Sequence, residues 1–213
     1  MKLEEALLEY GNVPMTTEVI LEHLDSYRRP YDKLGELTRK GTLVQLKRGL
    51  YIAGPSRFTQ GAHDFLIANH LVSPSYISLE SALAFWRLIP ERVYGVSSVT
   101  PLRSTAMTVR EVKFDYAHVP LQGFALGYES QNIGPNQTVL IASAEKALCD
   151  YVACRAGLNI RSMRNAEALL IEDLRIDDSA LRSLRAGEIE NWIPYLPKQG
   201  SMAMIVKYLK SLG

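Results

Sequence analysis

The stretch from Tyr27 to Ala53 constrains this chain most. It holds a short amphipathic segment with basic residues at both ends, a polar turn at Gly41-Thr42, and two apolar arms, Leu43-Val44 and Leu50-Tyr51-Ile52, separated by Lys47-Arg48-Gly49. Pro30 suits the first position of a helix. A helix from about Tyr31 to Lys40 turns Leu34 and Leu37 inward and leaves Tyr31, Lys33, Glu36, Arg39 and Lys40 for solvent or a ligand. Gly41 is a natural residue to end it. In the hairpin, Leu46 is expected to pack inward while Gln45, Lys47 and Arg48 project. Helix, turn and basic hairpin in this order read as a winged helix-turn-helix, which points to DNA.

Charge supports that reading locally and hides it globally. The 213 residues carry a net charge of +1. Residues 1–25 hold one base, Lys2, against six acids, a net of −5, whereas residues 26–60 hold eight bases against two acids, a net of +6. A local positive excess is what a phosphate-contacting surface requires.

Before this stretch, Leu3, Ala6, Leu7 and Tyr10 mark one face of a first helix, closed by Gly11-Asn12 and Pro14. Thr16 or Thr17 can cap a second, whose buried face is Val19, Ile20 and Leu24. Gly54-Pro55-Ser56 breaks the pattern. The expected division is a winged helix-turn-helix over 1–56 and a mixed α/β domain over 57–213, giving an α+β chain that ends in helices. In the second part, helices are expected over 62–72, 79–88, 143–156, 164–173, 179–187 and 202–212. Ser78 is placed to cap the second of these and Ser143 the third. Strands are expected over 76–78, 94–100, 107–119, 124–129 and 138–142, and 187–200 reads as a connector with one turn of helix. The 107–119 segment is expected to be one half-exposed strand.

On the DNA reading, Arg28, Arg29, Tyr31 and Lys33 stand where a recognition helix meets base edges and the adjoining backbone, with Lys33 directed at phosphate. Arg39 and Lys40 at the far end are also favoured by the helix dipole, so they have a structural explanation as well. Lys47 and Arg48 in the wing reach phosphate or the minor groove, and Gln45 is a weaker candidate.

A search for an active site finds no constellation. His63 and His70 are seven apart on an expected helix, about 10.5 Å, too far to share a metal unaided. Lys146 and Asp150, at i and i+4, read as an ordinary ion pair, and Glu145 as a residue favoured by its helix start. Gly123 to Gly127 lacks the Lys-Ser/Thr of a phosphate loop. Cys149 and Cys154 lie roughly 140° apart around a helix, which suits buried free thiols rather than a disulfide or metal. No enzyme, metal or cofactor is therefore expected. No run approaches ~18 apolar residues, and the N-terminus carries acids where a signal peptide has bases. A cytoplasmic protein without membrane contact is expected.

Four motifs in order resemble a known family: Lys47-Arg48-Gly49-Leu50-Tyr51; Pro74 to Leu83, PSYISLESAL; Ser98-Val99-Thr100; and Ile141 to Asp150, IASAEKALCD. Over about residues 15–155 the chain resembles the AbiEi antitoxins of type IV toxin–antitoxin systems. The resemblance implies a winged helix that represses its own operon by binding double-stranded operator DNA, and a second domain that counters a nucleotidyltransferase-like toxin. It leaves open a regulator of the same build without a toxin, whose second domain binds a ligand or protein partner. Oligomeric state is not legible.

Overall fold

A computed structural model of the chain describes residues 5–7, 11–55 and 61–213. It is a mixed α+β protein with a three-stranded and a six-stranded sheet. By its internal contacts the chain divides into two compact units, residues 1–73 with 131–139, and residues 74–130 with 140–213. The boundary expected near residue 56 falls among or beside residues 56–60, outside the described residues, and the first unit runs on to Ser73. Hydrogen bonds account for the extension. Lys47 Nζ donates to the Leu71 carbonyl at 2.8 Å, and the Gln137 side chain accepts from the His63 N–H at 2.7 Å.

In the first unit, β1 (Met15–Thr16) leads into α1 (Thr17–Glu22), then α2 (Pro30–Arg39), β2 (Leu43–Lys47) and β3 (Leu50–Ala53), and α3 (Asp64–Leu71) follows. The sheet order is β1-β3-β2, antiparallel throughout. Thr16 caps α1, its side chain accepting from the Val19 N–H, and Pro30 occupies the start of α2. The end of α2 is a Schellman motif: Gly41, at φ +69, donates to the Thr38 carbonyl at 3.1 Å, and Thr42 to that of Leu37 at 3.0 Å. Leu7, Met15, Ile20, Leu24, Leu34, Leu43, Tyr51 and Ala53 form the core, with Leu37 against it. Val19, expected in that core, is 41% exposed, because a six-residue helix turns only one narrow face inward. Of the first helix's expected face, Ala6 and Leu7 are buried, and Leu3 and Tyr10 lie outside the described residues. Gly54 is required sterically: a Cβ there would stand 1.8 Å from the Gly41 carbonyl oxygen.

The second unit contains β4 (Tyr76–Ile77), α4 (Leu79–Phe85), β5 (Val96–Thr100), β6 (Thr105–Val109), β7 (Val112–His118) and α5 (Leu121–Phe124). Strands β8 (Tyr128–Gly134) and β9 (Gln137–Ala142) run through the ranges of both units, and α6 (Ala144–Cys154) follows. The sheet order is β6-β7-β5-β4-β9-β8. It is mixed: β4 pairs antiparallel with β5 and parallel with β9, while β7 pairs parallel with β5 and antiparallel with β6. The chain closes on α7 (Met163–Glu167), a π-helical stretch over Ala168–Asp173, α8 (Asp178–Ser183), α9 (Ala186–Trp192) and α10 (Gln199–Ser211).

Several expectations are corrected. The single strand over 107–119 is a hairpin. Arg110 and Glu111, at φ 52 and 67, form its two-residue turn, and Val109 pairs with Val112 across it. Two positive φ values are those of a type I′ turn, ordinarily signalled by Asn or Gly, and neither residue gives that signal. The strand expected over 124–129 begins only at Tyr128. Gly127 precedes it at φ +64, where a Cβ would lie 2.7 Å from Trp192. The 187–200 stretch, expected to be a connector with one turn of helix, contains most of the seven-residue α9.

Ser78 does not cap α4 with its side chain. Its hydroxyl donates instead to Asp150 Oδ2 at 2.7 Å, and the Ser97 hydroxyl accepts the N–H of Ser81, in the first turn of α4, at 3.0 Å. The ion pair expected from Lys146 and Asp150 forms, and it is buried: Lys146 is 0% exposed and Asp150 1%. Tyr76 donates its hydroxyl hydrogen to Asp150 Oδ2 at 3.1 Å. Lys146 Nζ donates to the Tyr76 hydroxyl at 2.7 Å and pairs with Asp150 Oδ1. Burial first, and then the Asp150 charge, push the Tyr76 phenol far above its ordinary range. Lys146→Met strands a buried carboxylate and is expected to cost about 3–5 kcal/mol. Adding Asp150→Asn keeps an acceptor for Tyr76 and Ser78 while removing the orphan charge, so the double variant should regain part of that loss in urea unfolding.

Candidate nucleic-acid interface

The N-terminus of α2 is open. Its N-cap, Arg29, makes no side-chain capping bond, and Pro30 has no N–H to satisfy. The first turn of this ten-residue helix therefore has N–H groups that no N-cap side chain satisfies, at the positive end of the helix dipole. Arg28, Arg29 and Tyr31 are all exposed there, Tyr31 at 69%. Arg29 approaches Asp32 only at 3.7 Å, with both side chains largely in solvent, a pair worth little.

The remaining basic candidates differ in how free they are. Lys33 is half-buried, bonded to Glu36 at 3.0 Å and set over the Tyr27 ring at 5.3 Å. Lys40 bonds the other oxygen of Glu36 at 2.5 Å. These two bonds, that of Lys40 the stronger, hold the Glu36 carboxyl down to about 2. Arg39 is exposed, its Nε 3.4 Å from the Gly35 carbonyl.

In the β2–β3 hairpin, Gly49 at φ +82 makes the turn, and the register shifts between Gln45 and Lys47. Leu46 is the extra residue of that bulge and turns inward, 6% exposed. Arg48 is exposed at the tip, and neither it nor Arg28 forms an ion pair or hydrogen bond among the described residues. Lys47 instead gives its ammonium to the Leu71 carbonyl. Gln45 is exposed, 3.4 Å from the Tyr51 hydroxyl.

The candidate residues therefore fall into two sets. Arg28, Arg29, Tyr31, Arg39 and Arg48 stand open, while Lys33, Lys40 and Lys47 are held by acceptors of the protein itself. Sequence spacing missed the role of Glu36, which lies at i+3 from Lys33 and i−4 from Lys40 and so reaches both.

No protein-family model and no curated protein matches the chain.

In the second unit Tyr76, Ser78, Lys146 and Asp150 converge, and all four are closed to solvent. Glu145 is also buried. Burial pushes its carboxyl up, and Arg185 outweighs this through its guanidinium and backbone N–H, so the carboxyl ends below its ordinary value. Burial raises Cys149 and takes Cys154 up to about 12, so neither is poised as a thiolate. His63 caps α3, its Nδ1 accepting the Phe65 N–H at 3.1 Å. No group of three or more metal-ligating side chains occurs among the described residues, and no helix there is long and apolar enough to cross a membrane.

Glu36→Gln removes the shared acceptor from Lys33 and Lys40. It is expected to tighten binding to duplex DNA roughly two- to fivefold at low salt, read by fluorescence anisotropy. Unchanged affinity would place both lysines away from DNA.

Proposed function

We propose that the chain is a DNA-binding transcriptional regulator whose first unit is a winged helix-turn-helix. One observation carries this reading: the uncapped N-terminus of α2 is flanked by exposed Arg28, Arg29 and Tyr31. A helix start of this kind accepts phosphate oxygens through its backbone N–H groups, and an arginine beside it can pair bidentately with guanine in the major groove. The element order from β1 to β3 and the sheet order β1-β3-β2 suit the same reading. Arg48, at the tip of the wing, is directed at a phosphate or the minor groove.

The double variant Arg28→Ala/Arg29→Ala is expected to weaken binding to the DNA upstream of the chain's own gene and to lower the salt slope by up to about 2. Mobility shift across a salt series measures both. Binding and slope that do not change would move the DNA surface elsewhere.

By resemblance, we further propose that this regulator is the antitoxin of a type IV pair, with the second unit countering a nucleotidyltransferase-like toxin. Co-expression of the full chain with such a toxin encoded beside it is expected to restore growth, and the Arg28→Ala/Arg29→Ala variant to restore it equally. Loss of rescue in wild type would remove the antitoxin role and leave the DNA role standing.

One observation favours the other reading, a regulator whose second unit takes a ligand. That unit contains an open cavity of about 650 Å³ between Tyr94, Tyr151, Arg155, Asp173 and the 89–97 segment, a volume in the range of small-molecule sites.

A further inference from the structure

The open cavity of the second unit, about 650 Å³, has a wall whose charges do not balance: five acids and three bases line it. Three of the acids are paired, Glu80 with Arg155 at 3.1 Å, Asp115 with Lys113 at 2.9 Å, and Glu91 with Arg175. The side chains of Asp173 and Glu111 are exposed, and neither forms an ion pair or hydrogen bond among the described residues. The base left over, Arg92, lies over the Tyr94 ring at 5.6 Å.

The place of Asp173 in its helix costs stability rather than adding to it. It ends the helical run that starts at Met163 and passes into the π-helical stretch Ala168–Asp173. A carboxylate at a helix C-terminus meets the negative end of the dipole, where a cation is favoured, and no basic residue stands in that last turn. Arg175, two residues on, is committed to Glu91. π-Helical turns are also frequent at functional sites.

The rest of the wall suits a flat apolar body. Tyr94 is 86% exposed, while Ile89 and Leu174 are apolar and buried. An aromatic face attracts a cation through its quadrupole, and carboxylates without a cation partner attract the same charge. An anion would meet repulsion from both.

We propose that this cavity binds a small organic cation, an amine or guanidinium on a flat apolar body, with Asp173 and Glu111 meeting the charge and Tyr94 the flat face. The assignment rests on the second unit's being ligand-binding and is independent of the DNA and antitoxin roles.

Three probes of closely similar shape separate the ligand classes: tryptamine, a cation at neutral pH; tryptophol, neutral; and indole-3-acetate, an anion. Isothermal titration of the full chain at low salt is expected to show tryptamine binding, tryptophol at least about fivefold weaker, and no binding of indole-3-acetate. Asp173→Asn and Glu111→Gln should each weaken tryptamine about three- to tenfold and leave tryptophol unchanged, which a structural defect would not do. Tyr94→Ala should weaken both about two- to fivefold. Equal or tighter binding of tryptophol or indole-3-acetate overturns the cation and leaves the cavity a ligand site of another class. Tryptamine binding that both carboxylate variants leave unchanged also overturns it, because the site then lies elsewhere. If none of the three probes binds, the ligand reading of the second unit fails together with the cation.

Discussion

The second unit is organised by a charge it cannot expose. Lys146 and Asp150 are successive-turn neighbours on α6, and both are closed to solvent. Such a pair is tolerated only when the remaining donors and acceptors are satisfied. Tyr76 and Ser78, on and just after β4, supply what is missing. The network therefore joins a two-residue strand at the middle of the sheet to the eleven-residue helix α6. Tyr76 is fixed in turn by stacking on Tyr128 at 4.9 Å and by Phe124 at 5.0 Å. Gly127 lets the chain pass where a Cβ would lie 2.9 Å from the Lys146 Cβ. The backbone around the network is thus shaped to the lysine as much as the lysine is placed by the backbone.

That demand propagates to the neighbouring helix. With its hydroxyl committed to Asp150, Ser78 cannot serve the N-terminus of α4. Ser97 on β5 takes over, and its own N–H donates to the Ser81 hydroxyl at 2.9 Å. Its hydroxyl also donates to the Ser78 carbonyl at 3.1 Å. One serine exchange thereby ties α4 to β5 and leaves β4 tied to α6. Trp86, at the end of α4, closes the same side by donating to the Ala142 carbonyl at 2.7 Å. A short strand such as β4 has little ladder of its own, and these side-chain bonds compensate.

What the sequence disclosed follows from the range of the forces involved. Helix α2 was legible because Pro30, Leu34, Leu37 and Gly41 act within a few residues of one another. The hairpin after it was legible from Leu43 to Ile52 for the same reason. The Arg110–Glu111 turn was not, because its positive φ values are imposed by pairing β6 on β7 and not by residues that favour them. Ser78 was misread because the local rule, a serine before a helix, competes with a partner 72 residues away. Lys146 and Asp150 were legible as an ion pair, but not as a buried one, since spacing carries no information about burial. At the candidate interface, the positions of Arg28, Arg29 and Tyr31 were readable from their place around the start of α2. The capture of Lys47 by Leu71 was not, since the acceptor is a backbone carbonyl, which has no residue-type signature.

The captured lysines bear on how such a surface could bind DNA at all. Lys33 and Lys40 share one carboxylate, and Lys47 is spent on a helix end, so the cations left open in the first unit are mainly arginines. Arginine keeps its charge and brings a planar fork suited to phosphate and guanine, whereas lysine contributes a point charge. A surface stripped of free lysines has fewer phosphate contacts and thus a shallower dependence on salt. It gives up non-specific affinity while keeping the groups that can read a base. On the DNA reading proposed above, such a surface discriminates between sites but holds one site weakly. Two copies engaging two half-sites would recover affinity through effective concentration rather than through more charge.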